Sequence, residues 1–223
     1  MQQQKDYPVW HFTLDATAIT VFLTYAGLFC ASLASHYEIR AATTPNLWLQ
    51  LIFYALMAWL MADFVSGFVH FLADNFGTPE TPIVGKVFVY AFREHHVDPK
   101  AITRHSYVET NGANSLVSLP WMLYVYYAST PVADFTFRLF MVFFFLSIFM
   151  PHQFHKWSLM ENPPYVVAVV QRLHIILPPA HHDIHHSAPY DKYYCITCGW
   201  LNAPLNSLHF FQAVKRVLRW DFR

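Results

Sequence analysis

The chain has 223 residues, of which 55% are hydrophobic, 18% aromatic and only 13% charged, and its 14 basic and 14 acidic residues leave no formal net charge. The mean hydropathy is positive, at +0.26. This composition excludes an ordinary soluble domain and predicts an integral membrane protein. Because no repeat of solenoid length and no low-complexity linker occurs, residues 1–223 are predicted to form one domain.

Four apolar runs predict an all-α fold with about four membrane spans. They are Phe12–Ser35, Leu47 to about Leu72, Leu116–Ala128 and Phe135–Pro151. The first two are long enough to cross ~30 Å of hydrocarbon, whereas the third is short and could instead be a buried or re-entrant segment. The polar N-terminus lacks a clear cleavage site, so the first run is not expected to be a cleaved signal peptide.

Basic residues predict the orientation of these spans. They concentrate between spans two and three and after span four, at Lys86, Arg93, Lys100, Arg104, Lys192, Lys215, Arg216, Arg219 and Arg223. Both regions, and both termini, should therefore be cytoplasmic. Arg138, at the start of span four, is expected to snorkel towards the interface. A bacterial inner membrane is the preferred location, and the endoplasmic reticulum is the eukaryotic alternative.

Three ionisable side chains share one stripe of the second span. Asp63, His70 and Asp74 are spaced i, i+7 and i+11, so they point the same way. Ionisable residues within a membrane helix are functional candidates by default. His70 and Asp74, at the cytoplasmic end, are predicted metal ligands. Asp63 lies deeper and is predicted to hydrogen-bond a ligand imidazole.

The following loop and the end of span four add further candidates. Because the adjacent His95 and His96 cannot share one helix face, they are expected to reach different ions or to divide binding and orienting roles. His155 lies one turn after His152 where span four reaches the cytoplasm. A lone His174 is more typical of a satisfied core histidine than of a ligand.

Residues 178–186 hold the densest group of imidazoles, which are His181, His182, His185 and His186. Prolines at 179 and 189 suit the start and the stop of a short helix. On such a helix His182 could share an ion with His185 or His186, and His181 could share one with His185. A merely compositional histidine tract is the alternative, and it is disfavoured because His and Asp recur at other helix ends.

All of these candidates converge on one membrane face. Many neutral imidazoles with few carboxylates favour iron, zinc or copper over calcium or magnesium. More than six ligands indicates two ions. Cys30, Cys195 and Cys198 are too few for a disulfide framework, and the isolated C-x-x-C of the last two is assigned no role.

The motifs resemble the plasmanylethanolamine desaturase (CarF-type) family of membrane lipid desaturases. The H-x-x-H-H spacing of residues 182–186 is shared with membrane fatty-acid desaturases and hydroxylases. A more specific similarity lies in ordered motifs over about residues 62–205, which are D-F-V-S-G from Asp63, F-R-E-H-H-V-D-P from Phe92, I-T-R-H from Ile102, E-T-N-G from Glu109, H-K-W-S from His155 and Y-C-I-T from Tyr194.

The resemblance implies a site of two iron ions with no catalytic residue separate from the ligands. The implied ligands are His70, Asp74, His95, His96, His155, His182, His185 and His186. Ligand or supporting roles extend to His181, His105, His174, Glu109, His152, Asp63 and Asn111. This chain departs from the family at His152, where the family typically has Asn.

The implied reaction is an O2-dependent desaturation of an intact phospholipid. The expected substrate is an ether phospholipid with an ethanolamine headgroup, whose 1-O-alkyl chain becomes the vinyl ether of a plasmalogen. A site at the membrane edge reaches the chain carbons nearest the headgroup. Because no G-x-G-x-x-G motif occurs, electrons are expected from an external donor such as a b-type cytochrome or a ferredoxin. No nucleic-acid partner is expected.

The sequence leaves three other functions open. An acyl-chain desaturase acting near the carboxyl end is the first alternative, and a lipid hydroxylase would use almost the same metal set. A metal transporter is a distant alternative, because transporters place ligands near the bilayer midplane on interrupted helices.

Overall fold

The computed structural model describes residues 7–78, 80–82 and 89–220. The side chains of residues 90, 91, 95, 219 and 220 are outside this description. The predictions for Lys86 and Arg223, and for the side chains of His95 and Arg219, therefore lie outside the described residues. Over the described ranges the regular secondary structure is helical without strands, which confirms the predicted all-α class.

The described helices run from the N-terminal membrane segment to a short C-terminal helix. They are α1 (Val9–Ser35), α2 (Tyr37–Thr43), α3 (Leu47–Asn75), α4 (Tyr90–Val97), α5 (Tyr107–Ala128), α6 (Phe135–Phe149), α7 (Pro151–Ser158), α8 (Tyr165–Arg172), α9 (Pro179–His185), α10 (Asn202–Ser207) and α11 (Phe210–Trp220), with a 3-10 turn at Ala101–Arg104.

Three segments of the described chain are long and apolar enough to cross a membrane. They are α1, α3 and the α6–α7 unit, Phe135–Ser158. The protein is thus an integral membrane protein. The predicted third span lies within α5, which begins earlier than expected, at Tyr107. There Ser106 and Glu109 form a capping box, and the polar first half of the helix lowers its overall hydropathy.

The long helices pack in two pairs, α1 against α5 and α3 against α6. Their shared core is mainly aromatic and aliphatic, and Phe22 stacks on Phe149 with ring centroids 5.0 Å apart. Lipid is as apolar as such side chains, so close packing rather than the hydrophobic effect holds the bundle together. At Gly112 a Cβ atom would lie 2.2 Å from Cγ of Asp15, which shows how closely α1 and α5 approach.

The helix ends meet in two opposite layers. In one layer the start of α1 contacts the start of α5, where Asp15 lies against Gly112. In the same layer the end of α3 approaches α7, which follows the end of α6, and the ring centroids of His70 and His155 lie 5.9 Å apart. In the opposite layer Arg40 donates to the Val132 carbonyl at 3.2 Å. The metal-site candidates therefore share one end of the bundle.

Arg138 differs from its prediction. It is buried in the opposite layer, where it donates to the carbonyls of Tyr126 and Ser129 at 3.2 and 2.8 Å, and its guanidinium lies 4.6 Å from the ring of Phe29. The charge therefore satisfies the last carbonyls of α5, which have no partner within the helix. Snorkelling is unnecessary because the bundle itself supplies the hydrogen-bond acceptors.

Candidate metal centre

Two groups of candidate ligand atoms form where α3, α4, α7 and α9 meet. The first group contains His70, Asp74, His96 and His185, and the second contains His155, His182 and His186. Within each group the ligand atoms all lie within 4.8 Å of one another. Four of the seven side chains are almost fully buried, namely His70, His155, His182 and His185.

In the first group three imidazole nitrogens surround one carboxylate oxygen. Oδ2 of Asp74 lies 3.3 Å from Nε2 of His70, 3.0 Å from Nε2 of His96 and 3.4 Å from Nε2 of His185. His70 and Asp74 are one helical turn apart on α3, so the helix itself sets their distance.

Backbone carbonyls determine which nitrogen of two of these rings carries the proton. Nδ1 of His70 donates to the Tyr194 carbonyl and Nδ1 of His185 donates to the Lys192 carbonyl, both at 3.0 Å. A carbonyl only accepts, so in the neutral ring Nδ1 holds the hydrogen and Nε2 presents a lone pair. In neutral rings these lone pairs face the carboxylate oxygen of Asp74, an arrangement that a metal cation between them would stabilise.

The second group is equally suited to a cation. Nε2 of His182 lies 2.8 Å from Nε2 of His155 and 2.9 Å from Nε2 of His186. A single N–H of His182 cannot donate well to both neighbouring nitrogens, whereas one shared ion can bind all three. Nitrogen ligands lie about 2.1 Å from a metal such as zinc, and two of them at a right angle are then about 3 Å apart. The donor set fits a borderline transition metal.

The two groups lie side by side. Ring centroids of His96 and His186 are 5.1 Å apart, and those of His182 and His185 are 5.7 Å apart. The short helix α9 and its C-cap residue supply both groups, because His182 and the C-cap His186 belong to one and His185 to the other. The predicted pairing of His182 with His186 is found, whereas His185 joins His70 and Asp74 instead of His181 or His182.

Burial keeps His185 and His186 neutral. Burial, reinforced by the nearby His70 ring, lowers the pKa of His185 to about 4. Burial, with His185 and His96 as neighbours, lowers the pKa of His186 to about 3. Both rings are therefore uncharged at neutral pH, the state in which imidazole binds metals.

Asp63 has a different partner from the one predicted. Its carboxylate accepts hydrogen bonds from the backbone amides of Thr197, Cys198, Gly199 and Leu201 at 2.8 to 3.2 Å. No contact to a ligand imidazole is found among the described side chains. We call residues 192–201 the strap, and Asp63 anchors it to α3.

Four other predicted residues lie around the start of α5 and outside both ligand groups. Glu109 caps the helix, with Oε1 3.8 Å from Nε2 of His105. Asn111 donates to Oε1 of Gln153 at 3.2 Å. The ring of His152 lies 5.4 Å from that of Phe92. The S-x-x-E pattern at Ser106 would have revealed the cap from the sequence.

His174 and His181 form a separate pair beside the strap, with ring centroids 5.8 Å apart. His174 is exposed, and its carbonyl accepts the Trp200 indole N–H at 2.5 Å. The ring of His181 packs against Gly199. Neither belongs to a ligand group within the described part of the chain.

The sequence interpretation missed the orienting carbonyls of Lys192 and Tyr194. Backbone acceptors have no residue-type signature, so no sequence signal identifies them. The C-x-x-C, left without a role, is part of the strap: Cys195 is fully buried against Gly67, and burial raises the pKa of its thiol well above the usual value. Such a protonated, enclosed thiol is structural.

Comparisons of the sequence with known proteins identify its family. The lipid desaturase domain family matches residues 59–223. The plasmanylethanolamine desaturase of Myxococcus xanthus is 44% identical over 93% of this chain and 73% of its own length. Plasmanylethanolamine desaturase 1 of Mus musculus is 46% identical over 72% of this chain and 62% of its own length.

A plant relative is more distant. Fatty acid desaturase 4, chloroplastic, of Arabidopsis thaliana is 34% identical over 71% of this chain and 49% of its own length. The chain thus spans less than two thirds of the mouse and plant relatives. No solved structure matches the chain.

Proposed function

The chain belongs to the plasmanylethanolamine desaturase family of lipid desaturases and is a membrane oxidoreductase, and from this we propose that it uses two iron ions and O2 to desaturate an intact ether phospholipid. The substrate would be plasmanylethanolamine and the product the vinyl ether of a plasmalogen. The observation that carries the proposal is the pair of adjacent histidine-rich ligand groups at one end of the helix bundle.

The residues divide into two sets for two ions. His70, Asp74, His96 and His185 would hold one, and His155, His182 and His186 the other. When bound, the irons supply O2 activation, so that O2, two hydrogen atoms of the lipid and two electrons with two protons from an external donor yield the double bond and two waters. The buried His155 and His182 keep bulk water from that side of the centre.

The position of the ligand groups supports the choice of carbons. They lie where α3 and the α6–α7 unit end, and in the proposed topology that end is the edge of the hydrocarbon. An alkyl chain whose headgroup stays at that edge presents its first carbons to the centre. In a 1-O-alkyl phospholipid, removal of one hydrogen from each of the first two chain carbons gives a vinyl ether.

The proposed topology has four crossings, with α5 as the fourth and the ligand groups on the cytoplasmic side. α5 has 22 residues and would span about 33 Å at 1.5 Å per residue. Lys100, Arg104, Lys156 and Lys192 lie in segments at the ligand end of the bundle. Such an excess of basic residues marks a cytoplasmic face.

Purified protein is expected to contain two iron ions per chain. The two ligand groups offer one position each, and removal of iron by a chelator should abolish turnover, with recovery on addition of Fe2+. Metal analysis by mass spectrometry after iron-replete growth measures the stoichiometry. Zinc alone in an active preparation would contradict the iron proposal.

Cells that express this chain are expected to accumulate acid-labile vinyl ethers when supplied with 1-O-alkyl phospholipid. Lipid mass spectrometry before and after mild acid treatment measures them, and cells with the empty vector are the control. Hydroxylated ether lipid as the product would indicate a hydroxylase instead. A new double bond confined to acyl chains would indicate an acyl-chain desaturase instead.

A further inference from the structure

The strap delivers both orienting carbonyls to the first ligand group. The acceptor for His185 is the carbonyl of Lys192, and the acceptor for His70 is the carbonyl of Tyr194, two residues later. His70 is on α3 and His185 on α9, so one backbone segment fixes two rings from different helices. A shift of this segment would release both Nδ1 hydrogens together.

The carboxylate of Asp63 determines where this segment lies on α3. Oδ1 accepts the amides of Thr197, Cys198 and Gly199, and Oδ2 accepts that of Leu201. Asp63 is fully buried, so these charge-assisted hydrogen bonds replace its hydration. They are the strongest polar attachment between the strap and α3.

Weaker contacts continue along the same helix stripe towards His70. Oγ of Ser66 accepts the Ile196 amide at 3.2 Å and the Thr197 hydroxyl at 3.1 Å. One turn after Ser66 and Gly67, Nδ1 of His70 donates a hydrogen bond to the Tyr194 carbonyl. The contacts therefore run without a break from Asp63 to the imidazole.

We propose that Asp63 is a positioning residue that sets the tautomer of His70 and His185 through the strap. It holds the Lys192 and Tyr194 carbonyls where they accept hydrogen bonds from Nδ1 of His185 and His70. The Nε2 lone pairs of both rings then face the metal position. Asp63 thus acts on the centre from a distance, without touching a ligand. The inference rests on the proposed function only for the existence of the metal position.

Co2+ binding to the purified full-length protein in detergent, measured by its ligand-field absorption, tests the role of Asp63. Asp63→Asn keeps the side-chain size but removes the charge and turns an N–H2 towards one of the four amides. We expect Co2+ affinity to fall about 10- to 100-fold, as is typical for groups that orient ligands, and the band of the bound ion to shift.

Asp15→Asn is the matched control, since it removes another buried helix carboxylate that does not contact the strap, and it should bind Co2+ with the wild-type affinity and band. Ser66→Ala, a milder change to the same attachment, should weaken binding by a smaller factor. Wild-type affinity and band in Asp63→Asn would overturn the proposal. Should Asp63→Asn not fold, wild-type binding in Ser66→Ala would overturn it. No lipid substrate is present, so failure here is distinguishable from failure of the desaturase proposal.

Discussion

Alanine at His182 or His185 is expected to abolish lipid product while the protein still inserts into the membrane. His185 is completely buried in the first ligand group and His182 is 1% exposed in the second, so each substitution removes a buried nitrogen from its group. Activity should fall by at least about 100-fold, since even groups that only orient ligands cost 10- to 100-fold. Product formation and bound iron are measured on the same membrane preparation.

The two variants should differ in which ion they lose. His185→Ala leaves the three imidazoles of the second group in place, and His182→Ala leaves the first group intact. Iron content should therefore fall towards one per chain in each case. His36→Ala is the control, because His36 lies at the C-terminal end of α1, away from the ligand groups, and its ring hydrogen-bonds the Ser32 carbonyl. Wild-type turnover in either ligand variant would remove that histidine from the site.

The sequence predicted the ligand groups where helical periodicity alone places side chains together. His70 with Asp74 and His182 with His186 are each four residues apart, and both pairs meet as expected. Contacts between histidines on different helices were harder to predict from the sequence. His185 lies beside the α3 pair, with its ring centroid 4.4 Å from that of His70, a tertiary contact that spacing does not encode.

Asp63 illustrates a second limit of the sequence interpretation. Its shared stripe with His70 was visible, and it suggested a direct contact with an imidazole. The real partners are amides more than 130 residues away in sequence, as the contact to Thr197, 134 residues on, shows. A buried carboxylate can be satisfied by backbone as well as by a ring, and only the fold decides between them.

The membrane fold was predictable because apolar length is a strong signal, but α5 shows where that signal weakens. Its polar first half carries Glu109 and Asn111, which face a helix cap and Gln153 rather than lipid. Composition therefore located only the apolar second half. Arg138 was misjudged for a related reason, since its acceptors are carbonyls of α5 that come close only in the packed bundle.

Alanine at Gly67 is expected to displace the strap and to lower both stability and metal binding. A Cβ atom there would lie 2.5 Å from Sγ of Cys195 and 3.0 Å from its Cα and N, so backbone, and not only a flexible side chain, must move. The helix would gain about 1 kcal/mol in propensity from Ala. Overpacking costs about 1–3 kcal/mol and also shifts the Tyr194 carbonyl away from His70.

Gly27→Ala separates these two effects, since a Cβ atom at that position on α1 has no heavy atom within 4 Å apart from its chain neighbours and its own helix backbone. It should show the propensity gain alone, with an unchanged or higher melting temperature and wild-type iron content. Gly67→Ala should melt lower and lose iron from the first ligand group. Adding Cys195→Ala to Gly67→Ala removes the closest of the three contacts but not the two backbone contacts, so recovery should be partial. Equal behaviour of the two glycine variants would mean that the strap does not need its close approach to α3, and the orientation of His70 would then have to come from another contact.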